Sequence, residues 1–178
     1  YAPMPVITPF MCSIKLSCSA DEEEVLHLSS TDNAHGELPT MSAYSYKLCC
    51  KLNDPANSLR VKISSSCTIG KFLSLSSQTN AHAAGASIYP WNICLETTNP
   101  TRGVITCRLS TSCNASEACA LSLSSTENAH LGACDKYPLK VCCAYAPMPV
   151  ITPFMCSIKL SCNASEACAL SLSSTENA

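Results

Sequence analysis

Apolar and polar positions alternate with a period of two in several short stretches of this chain. Ser13-Ile-Lys-Leu-Ser17 and Leu121-Ser-Leu-Ser-Ser125 both carry the pattern, which marks a strand with one buried face. Tyr44-Ser-Tyr-Lys-Leu48 and Tyr137-Pro-Leu-Lys-Val141 are rich in strand formers. The serines between them fall on alternate strand positions and read as a surface pattern. Only Asp21-Glu-Glu-Glu-Val25 and its counterpart Ala115-Ser-Glu-Ala-Cys119 look helical, and both are short. The expectation is all-β.

The pattern repeats. Leu28-Ser-Ser-Thr-Asp-Asn-Ala-His35 returns as Leu75-Ser-Ser-Gln-Thr-Asn-Ala-His82 and Leu123-Ser-Ser-Thr-Glu-Asn-Ala-His130, and a fourth copy starts at Leu172. The spacings are 47, 48 and 49 residues, a period that marks an array of similar units. Upstream of each copy lies a strand-like run ending in Cys18, Cys67, Cys113 or Cys162. Downstream, Tyr44, Tyr89 and Tyr137 each precede a cysteine by five residues. The fold class expected is therefore tandem, disulfide-stapled, β-sandwich-like modules of about 48 residues, each with three or four short strands. They divide as residues 1–52, 53–97 and 98–143, followed by a Pro-rich linker strand and an incomplete fourth module over 144–178.

A second level of repetition lies above the first. Residues 1–18 return unchanged as 145–162, an offset of 144, or three modules of 48. Residues 114–129 return unchanged as 163–178. The linker Ala146-Pro-Met-Pro-Val-Ile-Thr-Pro-Phe154 is apolar, and its prolines favour extended geometry. It reads either as a strand on its own module or as one donated to a neighbouring subunit's sheet. The fourth module lacks its Tyr…Cys strand. The chain is expected to continue, or to meet a neighbour that supplies the missing half.

The repeats also act as an internal comparison for the 15 cysteines. Module two keeps Cys67 and Cys94, the counterparts of Cys18 and Cys49, but has Val61 and Leu95 where Cys12 and Cys50 would fall. Two cysteines lost together are expected to bond each other. Module three gains Cys119 and Cys134 together, where module one has Glu24 and Pro39. The inferred pairs are Cys18–Cys49, Cys67–Cys94 and Cys113–Cys142, then Cys12–Cys50 and Cys107–Cys143, then Cys119–Cys134. Cys156, Cys162 and Cys168 remain, unpaired or bonded between modules. A straight run from Cys12 to Cys18 would span up to ~20 Å, too far for adjacent Cys49 and Cys50 to meet both ends. The strand must bend or bulge.

Composition narrows the function. Charged residues are 13% of the chain and hydrophobic residues 47%, with a net charge of −2. The chain is too apolar for disorder, and its 11 basic residues are scattered, which excludes a phosphate-gripping surface and so a nucleic-acid partner. No apolar run reaches the ~20 residues of a membrane-spanning helix. Cysteine usage this high points to an oxidising compartment outside the cell.

Candidate chemistry is sparse. No Gly-x-Ser-x-Gly, His-Glu-x-x-His, Walker or Cys-x-x-Cys motif occurs, so no catalytic residue is named and no enzyme is expected. Tight cysteine pairs of zinc sites are absent. Asp21-Glu-Glu-Glu24 lacks the spaced oxygens of a calcium loop and reads as a solvated loop. One Asn-Ala-His histidine per module does not by itself gather a metal site. Asn33, His35, Asn80, His82, Asn128 and His130 are therefore read as structural turn residues, with no metal and no cofactor. Asn114-Ala-Ser116 and Asn163-Ala-Ser165 are acceptors for N-linked glycans, while Pro100 disqualifies Asn99.

The Leu-Ser-Ser-x-x-Asn-Ala-His…Tyr…Cys-Cys pattern resembles Cys-rich tandem-repeat β proteins of microbial surfaces and extracellular filaments. The resemblance implies a secreted structural subunit of a filament or appendage, partnered by copies of itself. The alternative expectation is a surface adhesin or a disulfide-rich binding module.

Overall fold

A computed structural model describes residues 10–148, which form part of one compact unit, Tyr1–Met148; Pro149–Ala178 is a separate unit. The described residues hold twelve strands and no helix. Module one comprises β1 (Phe10–Lys15), β2 (Glu23–Leu28), β3 (Gly36–Glu37) and β4 (Tyr46–Leu52). Module two comprises β5 (Leu59–Ser64), β6 (Lys71–Leu75), β7 (Ala83–Ala84) and β8 (Trp91–Thr97). Module three comprises β9 (Gly103–Ser110), β10 (Ala118–Leu123), β11 (Leu131–Gly132) and β12 (Leu139–Pro147).

Each module is one four-stranded antiparallel sheet with the same order: β1-β4-β2-β3, β5-β8-β6-β7, and β9-β12-β10-β11. A single small sheet cannot cover its own apolar face. The modules cover one another: β2 packs on β5, β6 on β9, and β10 back on β1. The array thus closes into a ring of three. Its core repeats with the sequence. Leu28, Leu75 and Leu123 are equivalent and fully buried, as are Leu26, Leu73 and Leu121, and Leu48, Ile93 and Val141. All nine belong to one apolar cluster shared by the three modules. Each such side chain contributes on the order of 1.5–3 kcal/mol by leaving water.

The second strand of each module carries a bulge, at Val25, Phe72 and Ala120. Beyond the bulge the register is regular, and the last four residues of each strand are buried on both faces. The leucine face meets the shared core, and the loop after the third strand covers the other face of β6 and β10. This corrects two expectations. Ser74 and Ser122 are not surface serines but fully buried. Ser74 Oγ donates to the Gly85 carbonyl at 2.7 Å and accepts from the Tyr89 amide at 3.0 Å. Ser122 Oγ donates to the Ala133 carbonyl at 2.6 Å and accepts from the Tyr137 amide at 3.2 Å. The helix-like stretches are also otherwise: Glu23, Glu24 and Val25 lie in β2, and Ala118 and Cys119 in β10.

The acidic run of module one is a solvated loop only in part: Asp21 and Glu22 lie in the turn before β2, with Asp21 exposed, while Glu23 and Glu24 belong to β2. Glu22 is paired with Lys15 at 2.6 Å, Glu24 with Lys47, and Asp21 with Lys51 at 2.9 Å. Glu23 Oε1 accepts the Val61 amide of module two at 3.1 Å. At the serine position of module one stands His27, whose Nδ1 lies 3.2 Å from the fully buried Glu37. Burial works to raise the Glu37 carboxyl's pKa, but bonds from Thr79, His27 and the backbone outweigh it and hold it below the usual range.

Six disulfides are present among the described residues: Cys12–Cys50, Cys18–Cys49, Cys67–Cys94, Cys107–Cys143, Cys113–Cys142 and Cys119–Cys134. The reach problem is resolved by a bend. Cys12 sits directly across β1/β4 from Cys50, β1 ends at Lys15, and the chain turns so that Cys18 meets Cys49. In module two Val61 faces Leu95 at the register position of Cys12 and Cys50. Cys156, Cys162, Cys168 and Asn163 lie outside the described residues.

Strand β12 runs to Pro147, pairing Ala144–Pro147 with Thr106–Gly103. These residues, assigned from sequence to the linker, belong to module three. Tyr145 is the reason: it is 5% exposed, and its hydroxyl donates to Asp54 at 2.7 Å and accepts from Asn57 Nδ2 at 3.1 Å. Burial, then the Asp54 carboxylate, raises the phenol's pKa. The loop after module one is thereby tied to the end of module three.

Gly70 tests the packing of module two. Its φ is +58°, and a Cβ there would lie 1.6 Å from the Leu95 carbonyl oxygen. Gly70→Ala is expected to destabilise the unit by about 2 kcal/mol or more, read as a lower midpoint in denaturant unfolding.

Candidate functional site

The Asn-Ala-His motif is the place where modules meet, and each of its letters has a job. The asparagines take left-handed backbone angles: φ is 48° at Asn33, 49° at Asn80 and 49° at Asn128. Asn tolerates this region better than most residues. The turn is closed by the serine six residues before each histidine. Ser29, Ser76 and Ser124 accept the backbone amides of His35, His82 and His130 through their hydroxyls, at 2.9, 3.1 and 2.9 Å.

The alanines carry the ring. Ala34 pairs with Leu131, Ala81 with Gly36, and Ala129 with Ala83, each as an antiparallel bridge. Both hydrogen bonds of every bridge are made, at 2.8–2.9 Å. In each case the partner is the residue after a neighbouring module's histidine. A third bond per interface follows two residues further on: Leu38 to Gln78 at 2.8 Å, Gly85 to Thr126 at 3.1 Å, and Ala133 to Thr31 at 3.0 Å. All three alanines are fully buried.

The asparagine side chain reaches across the same interface. His35 Nδ1 bonds Asn80 Oδ1, and His130 Nδ1 bonds Asn33 Oδ1. A carboxamide oxygen only accepts, so Nδ1 carries the proton in both rings. Tyr44 donates its hydroxyl to Asn80 Oδ1 at 3.1 Å, and Tyr137 donates to Asn33 Oδ1 at 3.4 Å. At the third interface Tyr89 Oη accepts the Asn128 backbone amide at 3.1 Å. The repeat's tyrosine thus belongs to the interface, a role that sequence spacing alone did not reveal.

The turn role holds, and closure adds a feature that one module alone does not show. One histidine per module does gather into a cluster, because closure brings the three modules to one axis. The ring centroids of His35, His82 and His130 are 4.7, 4.9 and 5.0 Å apart. One ring nitrogen from each lies within 4.8 Å of the other two. The rings are half-buried. His82 Nδ1 is buried without a hydrogen-bond partner among the described residues. Burial, then His35 and His130, hold the His82 imidazole below its ordinary pKa.

Other candidates stay apart. Asn114 is exposed in the turn between β9 and β10, where its carbonyl accepts the Glu117 amide at 3.0 Å. The described residues contain no helix long and apolar enough to cross a membrane. The molecule is an all-β protein of disulfide-stapled modules closed into a three-part unit. Comparison with protein-family models, with curated proteins and with solved structures gave no match.

Asn80 separates the two contributions of the motif. Asn80→Gly keeps the left-handed turn and loses the bonds to His35 and Tyr44; Asn80→Ala loses both. The alanine variant is expected to be the less stable of the two by about 1 kcal/mol, measured by chemical denaturation.

Proposed function

We propose that this chain is a structural subunit of an extracellular filament or surface appendage built from tandem disulfide-locked β modules. The observation that supports this is a coincidence of periods. The sequence restarts at Tyr145 after 144 residues, with an unchanged copy of residues 1–18. The ring also closes after three modules, when β10 packs on β1. The sequence period and the closure of the ring thus both count three modules.

Six disulfides suit a protein that folds and works in an oxidising environment outside the cell. They also suit a mechanical role, since a stapled unit resists pulling at its ends. The Pro-rich run of residues 146–154 is the joint in this reading, either as a linker or as a strand exchanged between subunits. Glycans on Asn114 would add polar cover to a surface poor in charge. No catalytic step is assigned. An adhesin built on the same staples is the competing reading.

Negative-stain microscopy of native material decides between them. The proposal expects filaments with a regular axial repeat. Only dispersed, monodisperse particles that bind a defined glycan or protein would favour the adhesin.

A further inference from the structure

We propose that His35, His82 and His130 form a facial three-histidine site for a borderline divalent transition ion such as zinc, nickel or copper(II), and that the ion clasps the three modules at their common axis. The argument starts from geometry. Each module contributes one imidazole, and the nearest set of ring nitrogens lies within 4.8 Å. Zinc–nitrogen bonds of ~2.0–2.1 Å need nitrogens roughly 3.0–3.4 Å apart, so binding draws the half-buried rings inward.

The outer partners are already in place. Metal-bound histidines ordinarily donate their other N–H to an acceptor that fixes tautomer and orientation. Asn80 and Asn33 do this for His35 and His130, which leaves the lone pair on Nε2 in each ring. The carboxamide of one module therefore orients the ligand of the next. The corresponding Nδ1 of His82 is buried and makes no such bond among the described residues.

The turn is built without the rings, whose Nδ1 atoms in His35 and His130 serve the bond to the neighbouring asparagine. Its geometry is met by the asparagine backbone, the alanine bridges and the serine bonds to the histidine amides. None of these uses a ring nitrogen. The ligand set also selects the ion. Three neutral imidazoles without a carboxylate suit zinc, nickel or copper and give calcium or magnesium no oxygen ligands. The remaining coordination positions would be open to water or an added ligand.

The test uses the full chain with disulfides intact and remaining thiols blocked by iodoacetamide, stripped of metal by chelation and dialysis. Titration with zinc chloride alone in a calorimeter is expected to show one saturable site per three-module unit. His130→Gln keeps a side-chain N–H for Asn33 but lacks the free imidazole lone pair; it should weaken binding at least ~10-fold, and Asn33→Ala by ~10–100-fold. Ring signals in NMR of the unaltered protein provide the second readout, independent of any variant's folding. The signals of His35, His82 and His130 should move together on zinc addition. Those of His27, held between Glu24 and Glu37, should stay. The absence of saturable binding, equal affinity in His130→Gln, or shifts confined to His27 would each overturn the proposal.

Discussion

The structure depends on one reciprocal backbone contact made three times. The alanine of each Asn-Ala-His motif exchanges both of its main-chain hydrogen bonds with the residue after the neighbouring histidine. These groups are fully buried at the alanines. A buried amide left without a partner costs about 1–3 kcal/mol. Opening one interface would strand both partners and uncover the leucines beneath. The interfaces are linked by symmetry as well: each module uses its alanine toward one neighbour and its post-histidine residue toward the other.

Local covalent staples and ring closure divide the work. Disulfides tie β1 to β4 in module one and β9 to β12 in module three, but module two has one staple where module one has two. Val61 opposite Leu95 fills that place with apolar contact. A unit of ~48 residues rarely buries enough core by itself. Here the buried leucines of all three modules form one cluster, so the staples hold sheets together while the ring supplies the core.

Much of the module was legible in the sequence, because the repeats provide their own comparison. Joint loss of the Cys12 and Cys50 counterparts in module two pointed to one bond, and joint gain of Cys119 and Cys134 to another. Strand alternation marked β1 and β10. What escaped detection depends on closure or on a covering loop. Ser74 and Ser122 keep the period-two alternation and so read as exposed, but the loop after β7 or β11 folds over that face and bonds their hydroxyls. The histidine cluster is not legible in the sequence, because each module carries one Asn-Ala-His imidazole and only ring closure brings the three together. Period alone does not distinguish an open array from a ring. The acidic run of module one hid its pairing for a related reason: its lysines lie on other strands, at Lys15, Lys47 and Lys51.

The central claim is that the three modules form one cooperative ring locked by the motif. Native-state hydrogen exchange at the amides of Ala34, Gly36, Ala81, Ala83, Ala129 and Leu131 tests it most directly. A locked ring predicts that all six exchange only through global unfolding, with the same opening free energy and the same response to denaturant. Exchange of one bridge through a separate low-energy opening, while the other two stay protected, would contradict it.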